Sequence, residues 1–391
     1  MAHEWRGASP RVLVLGSGFR AGPWVVRSLR QAGASVLAAG EGSLSSRSRV
    51  CPRPLRTPSP VAHPEDFAEW VADTCRDAAV DVVLPVTEEM TRLKALGGVD
   101  LASASLAGPN ARQYAGLCDK ALLEATATGA GVDHPLTQLV AGPHDSASLP
   151  LPAIVKPADS GEGVDAVFGV VCANTATERD RAITTILDGG GRAIVQELLT
   201  GTAWVLHGVR TPGVNPLVAA RVEVTWPRLA GVSSISHVVP DAERLARTAT
   251  AVLDAVDYVG PWCINAFERD GRLAVHDVNL RPAASVAAAI YAGLDVPTLG
   301  VRAALGLSLP PVPPTTAVAY VNIDAEIRGL LAGVREGPRA AVAEVGRIRS
   351  WARAPRRLID PSPGNPFLLA QKIAEAITWL RRLLARPVPR G

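Results

Sequence analysis

Residues 153–164 read AIVKPADSGEGV, and this stretch decides how the fold is interpreted. The run from Ala153 to Lys156 predicts a short strand, and Ser160-Gly161-Glu162-Gly163-Val164 predicts a glycine-rich connection to the next strand. A lysine beside such a loop can reach phosphate oxygens while the bare amides of the loop surround them. The stretch therefore indicates a nucleotide clamp, and the alternative is a β-hairpin with a solvated lysine.

Polar residues of a second kind alternate along a later predicted strand, from Leu273 to Asn279. Asp277 and Asn279 are two residues apart, so their side chains face the same side, and Arg281 follows two residues on. Mg²⁺ prefers carboxylate, amide and phosphate oxygens, and a guanidinium stabilises the charge of a transferring phosphoryl group. This pattern favours a site for Mg²⁺ and a triphosphate over an exposed polar edge strand.

Lysine is rare in this chain. Of 40 basic residues only four are lysines, namely Lys94, Lys120, Lys156 and Lys372. A chain that supplies positive charge almost entirely with arginine has some reason to use the compact ammonium group where it does, although chance is the alternative. The rarity matters because Lys156 falls inside the glycine-rich motif.

The first part of the chain alternates strands with helices. Arg11 to Leu15 predicts a buried strand, Gly16-Ser17-Gly18 a tight turn, and Pro23 to Gln31 a helix. Such alternation predicts a parallel, doubly wound sheet. A dinucleotide site would also need an acidic residue at the end of the second strand, but the chain reads Ala38-Ala39-Gly40 there. A nicotinamide-dependent oxidoreductase is therefore the weaker alternative.

Beyond about residue 116 the pattern changes to longer runs that look antiparallel. Two of them, Cys263 to Arg269 and Leu273 to Asn279, are joined by Asp270-Gly271, which is a strong hairpin signal. Strand-like runs also occur at 164–172, 193–197, 204–209, 217–224 and 317–323, and an amphipathic helix is predicted from Pro366 to Arg386. This is an α+β region distinct from the first.

Composition excludes several classes of protein. The chain has 391 residues, 48% of them hydrophobic, which suits two or three globular domains. Its 40 basic and 37 acidic residues leave a net charge of +3, which is too balanced for nucleic-acid binding as the main activity. The five cysteines are scattered and form no CxxC pair, which favours a reducing cytoplasm. The longest uncharged run, 303–323, contains four prolines that would break a membrane-spanning helix.

The order of the motifs resembles the ATP-grasp superfamily, and within it the carbamoyl-phosphate-synthase-like carboxylate–amine ligases. The similarity covers about Arg11 to Leu309. The matching segments are Asp119-Lys120, AIVKP at 153–157 with Gly161 and Gly163, IVQELLTG at 194–201, Arg221 ahead of GVSS at 231–234, Asp270-Gly271, and DVNLR at 277–281.

The resemblance implies a mixed α/β and α+β architecture in three parts. Residues 1–115 would form a Rossmann-like pre-ATP-grasp domain with a parallel sheet. Residues 116–309 would form the two-lobed ATP-grasp domain, with its lid lobe at about residues 121–197. Residues 310–391 would form a mostly helical C-terminal extension with one strand.

The resemblance also implies roles for individual residues. Lys120, Lys156 and the amides at Gly161 and Gly163 would contact ATP phosphates. Residues Gln196, Glu197, Leu198 and Leu199 would form the hinge and bind adenine through the backbone, with Leu198 and Leu199 packing near the ring. Asp277 and Asn279 would hold Mg²⁺, and Arg221 and Arg281 would face the terminal phosphate and the acyl-phosphate intermediate.

The implied function is an ATP-dependent, Mg²⁺-requiring ligase that joins a small carboxylic acid to an amine or amino acid and releases ADP and phosphate. The chain departs from relatives at Ala203, where an acid usually contacts ribose, and at Ala266, where the first metal ligand is expected. Glu268 is the candidate replacement for that ligand. A catalytically silent relative that binds nucleotide or a partner protein is the alternative. No nucleic-acid or membrane partner is expected, and a homodimer is one option for the assembly.

Two smaller groups of residues carry weaker signals. Glu88 and Glu89 follow the strand that ends at Pro85, at the edge where α/β proteins place ligands, but a solvated loop is an equal alternative. His207, His237 and His276 have no second histidine at ligand spacing, which favours packing or hydrogen-bonding roles over metal binding.

Overall fold

The computed structural model describes residues 5, 9–41, 53–95, 97–142, 145, 149–159, 169–228, 231–240, 242–360, 370, 374 and 378. Within this part, the strands form three sheets of five, four and seven strands. No helix among these residues has the length and apolar character needed to cross a bilayer.

The first sheet is parallel throughout. Its strands are β1 (Arg11–Leu15), β2 (Ser35–Gly40), β3 (Leu55–Arg56), β4 (Val82–Pro85) and β5 (Ser105–Leu106), in the order β3-β2-β1-β4-β5. Its helices are α1 (Gly22–Gln31), α2 (Pro64–Asp77), α3 (Glu88–Ala95) and α4 (Ala111–Leu117). The apolar runs of β1 and β4 are buried on both faces, as expected for a parallel sheet covered by helices. The predicted Rossmann-like sheet is confirmed.

The second sheet is small and antiparallel. Its strands are β6 (Thr137–Val140), β7 (Ala153–Pro157), β8 (Val171–Ala173) and β9 (Ala193–Glu197), in the order β6-β9-β7-β8. It follows α5 (Lys120–Gly129), and α6 (Ala176–Asp188) packs Ile183 and Ile186 against Val155 and Val195. Of the predicted strand at 164–172, only the end appears, as β8, because residues 160–168 lie outside the described part.

The third sheet is the largest. It comprises β10 (Thr202–Arg210), β11 (Leu217–Trp226), β12 (Val232–Val239), β13 (Gly260–Arg269), β14 (Arg272–Asn279), β15 (Ala319–Asn322) and β16 (Arg357–Asp360). The order is β14-β13-β10-β11-β12-β15-β16, with only the last pair parallel. The remaining helices are α7 (Glu243–Asp254), α8 (Val286–Tyr291), α9 (Val296–Ala304), α10 (Ile323–Glu336), α11 (Pro338–Arg347) and α12 (Arg349–Arg353).

The third sheet has two faces with different neighbours. One face, here called the cleft face, carries Val205 and Cys263, and at its far end Val218 packs into the core of the first sheet. The opposite face, here called the helix face, carries Trp204 and Ile264 and packs on α7. Side chains alternate between the two faces along each strand, so these residues serve as references from which the face of any residue in the sheet can be assigned.

The extension after residue 309 does not stand apart from the sheet. Both β15 and β16 continue it beyond β12, and Val318, Tyr320 and Leu358 of the extension lie in the same core as α1. The predicted hairpin at Asp270-Gly271 is present, with φ of +53° and +76° as a type I′ turn requires. The predicted helix from Pro366 to Arg386 lies outside the described residues, apart from three isolated positions.

Candidate functional site

Lys120 begins α5 at the point where this helix meets the second sheet. The side chain of Asp119 caps the helix by accepting a hydrogen bond from the Ala121 amide at 2.9 Å. The Lys120 amide donates to the Ala158 carbonyl at 2.8 Å, which fixes the start of α5 beside the end of β7. The Lys120 Nζ atom then lies 3.4 Å from Asp277 Oδ1 on β14. The Lys120 side chain is 9% exposed and that of Asp277 is 23% exposed, so the ammonium group is buried and the carboxylate is partly accessible.

Lys156 reaches the same place from β7. Its Nζ donates a hydrogen bond to the backbone carbonyl of His276 at 3.0 Å, and the residue is 5% exposed. Burial lowers the pKa of Lys156 to about 7, because desolvation and the charge of Lys120 outweigh the attraction of Asp277. A lysine with this pKa is about half-protonated at neutral pH, and a bound anion would raise its pKa and make it fully charged.

Asp277 is the negative centre of the cluster. Its Oδ2 accepts hydrogen bonds from the side-chain amides of Asn265 at 2.9 Å and Asn279 at 2.8 Å. Burial by itself would raise the pKa of Asp277, but the charges of Lys120 and Lys156 hold it well below its usual range. The carboxylate is therefore ionised and has an amide on each side. The structure thus brings Lys120, Lys156, Asp277 and Asn279 together.

Glu268 and Ala266 lie on the helix face, away from Asp277. Ala266 is fully buried in the core that contains Trp204. The Glu268 carboxylate accepts a hydrogen bond from Trp204 Nε1 at 2.9 Å and pairs with both Nη atoms of Arg244 on α7. The prediction that Glu268 supplies a metal ligand is therefore wrong, since period-2 alternation turns it to the other side of the sheet.

Asn265 occupies the position that the sequence analysis assigned to Ala266. It stands directly opposite Asp277 in the pairing of β13 with β14, whereas Ala266 stands opposite Val275. A β-bulge at His276 causes this register shift. Because Cys263, Asn265 and Phe267 alternate along β13, the sequence could have shown that they share one face. The bulge at His276 has no signal in the sequence.

Arg221 is also on the helix face. It pairs with Trp204 on β10, and its neighbour Ala219 lies in the core on that face. The cleft face of β11 is instead taken by Ala220 and Val222, and Arg221 is exposed. The prediction that Arg221 faces the terminal phosphate is wrong for the same reason of strand alternation.

Arg281 follows β14 and is buried in the cluster. Its Nε donates to Glu88 Oε2 at 3.1 Å, and its Nη2 donates to Asn279 Oδ1 at 2.9 Å. Burial raises the pKa of Glu88 although Arg281 opposes this shift. Glu88 comes from the first residue of α3, so the ion pair joins the first sheet to β14. The structure therefore favours the ligand-site reading of Glu88, whereas Glu89 is half-buried and makes no ion pair among the described residues.

Residues 196–199 connect the second sheet to the third. Gln196 is buried and donates to Thr137 Oγ1 at 2.8 Å, and the Glu197 amide donates to the Leu136 carbonyl at 2.9 Å. Leu199 is 8% exposed, and Leu198 is half-buried. The position suits a hinge, and adenine binding there stays a prediction. Gly161 and Gly163 lie outside the described residues.

The Gly16-Ser17-Gly18 turn is not arranged as a phosphate loop. The amides of Gly16 and Ser17 both donate to the Ala39 carbonyl, at 2.9 and 2.8 Å. Because both amides already donate hydrogen bonds to the neighbouring strand β2, they are not available to bind a pyrophosphate. This geometry weighs against the nicotinamide alternative.

The histidines take structural positions. His207 is buried, with Nε2 at 3.0 Å from Ser285 Oγ, and burial lowers its pKa to about 4. Burial and Lys156 likewise lower the pKa of His276 to about 4. The Nε2 atom of His237 lies 2.8 Å from Oε2 of Glu223. Across the described ranges, no group of three or more His, Cys, Asp or Glu side chains could hold a metal ion.

Comparisons with known proteins give a consistent picture of the fold. No family model and no curated protein matches the chain. Among solved structures, N5-carboxyaminoimidazole ribonucleotide synthetase in complex with ADP aligns with a TM-score of 0.63 and 16% identity, over 95% of this chain and 98% of that one. The Staphylococcus aureus enzyme of that name with ADP aligns with a TM-score of 0.63 and 17% identity, over 89% of each chain. An L-amino acid ligase from Bacillus licheniformis aligns with a TM-score of 0.59 and 14% identity, over 76% and 74%.

Proposed function

The chain has the ATP-grasp fold, and from this premise we propose that it is an ATP-dependent ligase that activates a carboxylic acid as an acyl phosphate and joins it to an amine. The observation that carries the proposal is the convergence of Lys120, Lys156 and Asp277 from three elements in one cluster, in which both lysines are buried. Lys120 is charged, and Lys156 becomes fully charged when an anion binds beside it, so the two side chains together suit a polyphosphate.

The reaction needs no nucleophile from the protein. A carboxylate oxygen of the substrate attacks the terminal phosphorus of ATP, and the bond from that phosphorus to ADP breaks. The amine then attacks the carbonyl carbon, phosphate leaves, and the amine loses a proton. The protein aligns the groups and neutralises charge. Lys120 and Lys156 would hold the phosphates, and Arg281 would face the oxygens that gain negative charge.

The residues present fit a magnesium ion delivered with the nucleotide. Asp277 offers one carboxylate, and the side chains of Asn265 and Asn279, which donate their Nδ2 atoms to it, each carry an amide oxygen that could serve as a further ligand. Mg²⁺ is usually held by one or two carboxylates together with substrate phosphates and water. When bound, the ion would supply positive charge that offsets the charge of the nucleotide phosphates. Asp277, with the two amides, is thus the proposed metal-binding set.

The proposal is tested by ADP release. Incubation with ATP, Mg²⁺ and a panel of acids and amines should give ADP only with the right pair, and the product should contain an amide. Lys156→Met should abolish the release. ADP release that persists in this variant would remove Lys156 from the mechanism.

The affinity for ADP should fall as the pH rises above 7. Lys156 has a pKa of about 7 in the free protein, and phosphate binding favours its charged form, so binding takes up a proton above that pH. One required proton corresponds to a loss of up to about tenfold per pH unit. Calorimetric titration of ADP between about pH 7.5 and about pH 9, in buffers of different ionisation enthalpy, measures both the affinity and the proton uptake. Lys156→Met should give a flat profile, and a flat wild-type profile would contradict the assignment.

A second candidate is a protein that binds nucleotide without turnover. It is favoured by the metal-binding set, which offers only one carboxylate, and by Ala203, which offers no acid at the expected ribose position. Calorimetry with ADP and a broad substrate panel separates the two functions. Tight binding of ADP with no ADP release from ATP in the presence of any acid and amine would favour the binder. We place either function in the cytoplasm.

A further inference from the structure

The carboxyl ends of β1 and β4 border the proposed nucleotide site, and the place between them is here called the opening. Strands β1 and β4 are neighbours whose connections leave on opposite sides, and ligands of α/β sheets bind at the carboxyl ends of such a pair. The turn after β1 places the centroid of the Phe19 ring 5.7 Å from Arg281 Cζ. In the same turn, Arg20 Nε donates to the Ala284 carbonyl at 3.4 Å. The residue after Val86 at the end of β4 is Thr87, and Glu88 follows it. The turn after β1, the segment after β4 and the segment after β14 therefore meet at this point.

Two buried hydroxyl groups at this opening have no partner. Ser17 Oγ and Thr87 Oγ1 make no hydrogen bond within the described part of the chain, and Ser17 is 2% exposed. The two residues belong to adjacent turns, since a Cβ atom on Gly16 would lie 2.7 Å from Thr87 Cγ2. Buried polar groups in folded proteins are almost always hydrogen-bonded to protein, water or ligand, so this pair of hydroxyls is available to a polar ligand.

The ion pair at the opening also has unused hydrogen-bonding capacity. Glu88 uses Oε2 for Arg281, and its Oε1 accepts no hydrogen bond from the described residues. Arg281 uses Nε and Nη2, while its Nη1 donates only to the neighbouring Pro282 carbonyl at 3.5 Å. Among the described residues, the ion pair therefore keeps one carboxylate oxygen and one guanidinium nitrogen with unused hydrogen-bonding capacity. Their complement is a small molecule with an ammonium group next to a carboxylate.

We propose that this opening binds an α-amino acid, whose ammonium group contacts Glu88 and the hydroxyls of Ser17 and Thr87, and whose carboxylate lies by Arg281. The inference rests on the proposed function and specifies its acid. Arg281 also holds Asn279 of the proposed metal-binding set, so the carboxylate end points to the phosphates. The amino acid is accordingly the acyl donor. Its carboxylate oxygen forms the new bond to phosphorus as ADP leaves, and its ammonium group keeps its proton because a separate amine attacks.

The test compares amino acids with the corresponding acids that lack the amino group. ATP, Mg²⁺ and hydroxylamine are incubated with L-alanine or propionate, L-leucine or 4-methylpentanoate, and further pairs, and the hydroxamate formed from the acyl phosphate is measured. Wild-type protein should form hydroxamate from at least one amino acid and not from its partner. Equal activity with both members of every productive pair would overturn the proposal.

Two variants test the contacts. Thr87→Val keeps Cγ2 and removes a hydroxyl that has no partner among the described residues, so it should leave the melting temperature unchanged or higher. It should still raise the KM for the amino acid about fivefold. Glu88→Gln should raise that KM about 100-fold with the KM for ATP unchanged, and Glu88→Asp should recover part of the loss. Glu65→Gln, which neutralises an exposed carboxylate in the first turn of α2, is the matched control and should behave as wild type. An unchanged KM in both Thr87→Val and Glu88→Gln would refute the site.

A binding measurement separates failure of this inference from failure of the proposed function. The melting temperature of the protein with ADP is recorded with and without each amino acid, which requires no turnover. If no acid yields hydroxamate, stabilisation by an amino acid that is lost in Thr87→Val still establishes the site and refutes only the ligase activity. If hydroxamate forms from acids without an amino group while amino acids neither react nor stabilise, the ligase stands and the amino-acid site is refuted.

Discussion

Replacing Lys156 with methionine should weaken ADP binding about 100-fold without destabilising the folded protein. The ammonium group is buried against the His276 carbonyl and is only half-protonated at neutral pH, so the free protein gains little from its charge. With nucleotide bound, the same group would donate a charge-assisted hydrogen bond to phosphate. Methionine keeps most of the apolar stem, and the free energy of unfolding should stay within about 1 kcal/mol of wild type.

Calorimetric titration with ADP and a denaturant unfolding curve give the two quantities. Arg112→Ala is a suitable control, because it removes an exposed positive charge whose carboxylate partner, Asp257, is 3.7 Å away and equally exposed. This variant should bind ADP as wild type does. A Lys156→Met protein that binds ADP normally would show that the ammonium group is only a structural feature of β7.

Replacing Asn265 with glutamate should tighten Mg²⁺ binding in the ADP complex about tenfold. The side-chain amide of Asn265 lies 2.9 Å from Asp277 Oδ2, so a carboxylate there would give the metal a second negative ligand. Without metal, the two carboxylates repel each other, and the free protein should lose about 1 kcal/mol of stability. The Mg²⁺ dependence of ADP affinity measures the gain, and Asn265→Gln, which lengthens the side chain without adding charge, is the matched control.

Ala266→Glu should do the opposite, although the two positions are adjacent. Ala266 is fully buried on the helix face, so a glutamate there must enter the core between Trp204 and Val275. An unpaired carboxylate in such a place should lower the free energy of unfolding by about 4 kcal/mol. Denaturant unfolding checks this value. A stable Ala266→Glu protein with tighter Mg²⁺ binding would mean that the register of β13 and β14 is one residue different.

The sequence predicted the regular elements well where a local pattern determines them. The apolar runs of β1 and β4 lie at the predicted positions because a strand of a parallel sheet covered by helices is buried on both faces. The hairpin at Asp270-Gly271 was predictable because a type I′ turn needs positive φ at both central residues. Local chemistry was sufficient for these features.

The faces of the third sheet were predicted less well. Asp277 and Asn279 share a face and lie within one strand, so alternation alone placed them correctly. Arg221 and Glu268 lie on other strands, and their faces depend on the register that β11 and β13 adopt with their neighbours. Register is a property of two strands and of any bulge between them, so a single segment does not contain it. Asn265 was missed for the same reason.

Contacts between distant segments were the least accessible to the sequence. Glu88 and Arg281 are 193 residues apart, and their pairing requires the first sheet and β14 to pack together. The addition of β15 and β16 to the third sheet is likewise a long-range pairing that no local pattern encodes. The rarity of lysine was a partial signal for the site. Two of the four lysines, Lys120 and Lys156, lie in the recognised motifs, and both are buried in the cluster with Asp277.

The most direct measurement is a crystal structure with a non-hydrolysable ATP analogue and Mg²⁺. We expect phosphate oxygens of the analogue within hydrogen-bonding distance of the Nζ atoms of Lys120 and Lys156, and the metal in contact with Asp277. An analogue bound elsewhere on the protein, or bound with its phosphates out of reach of both lysines, would contradict the account.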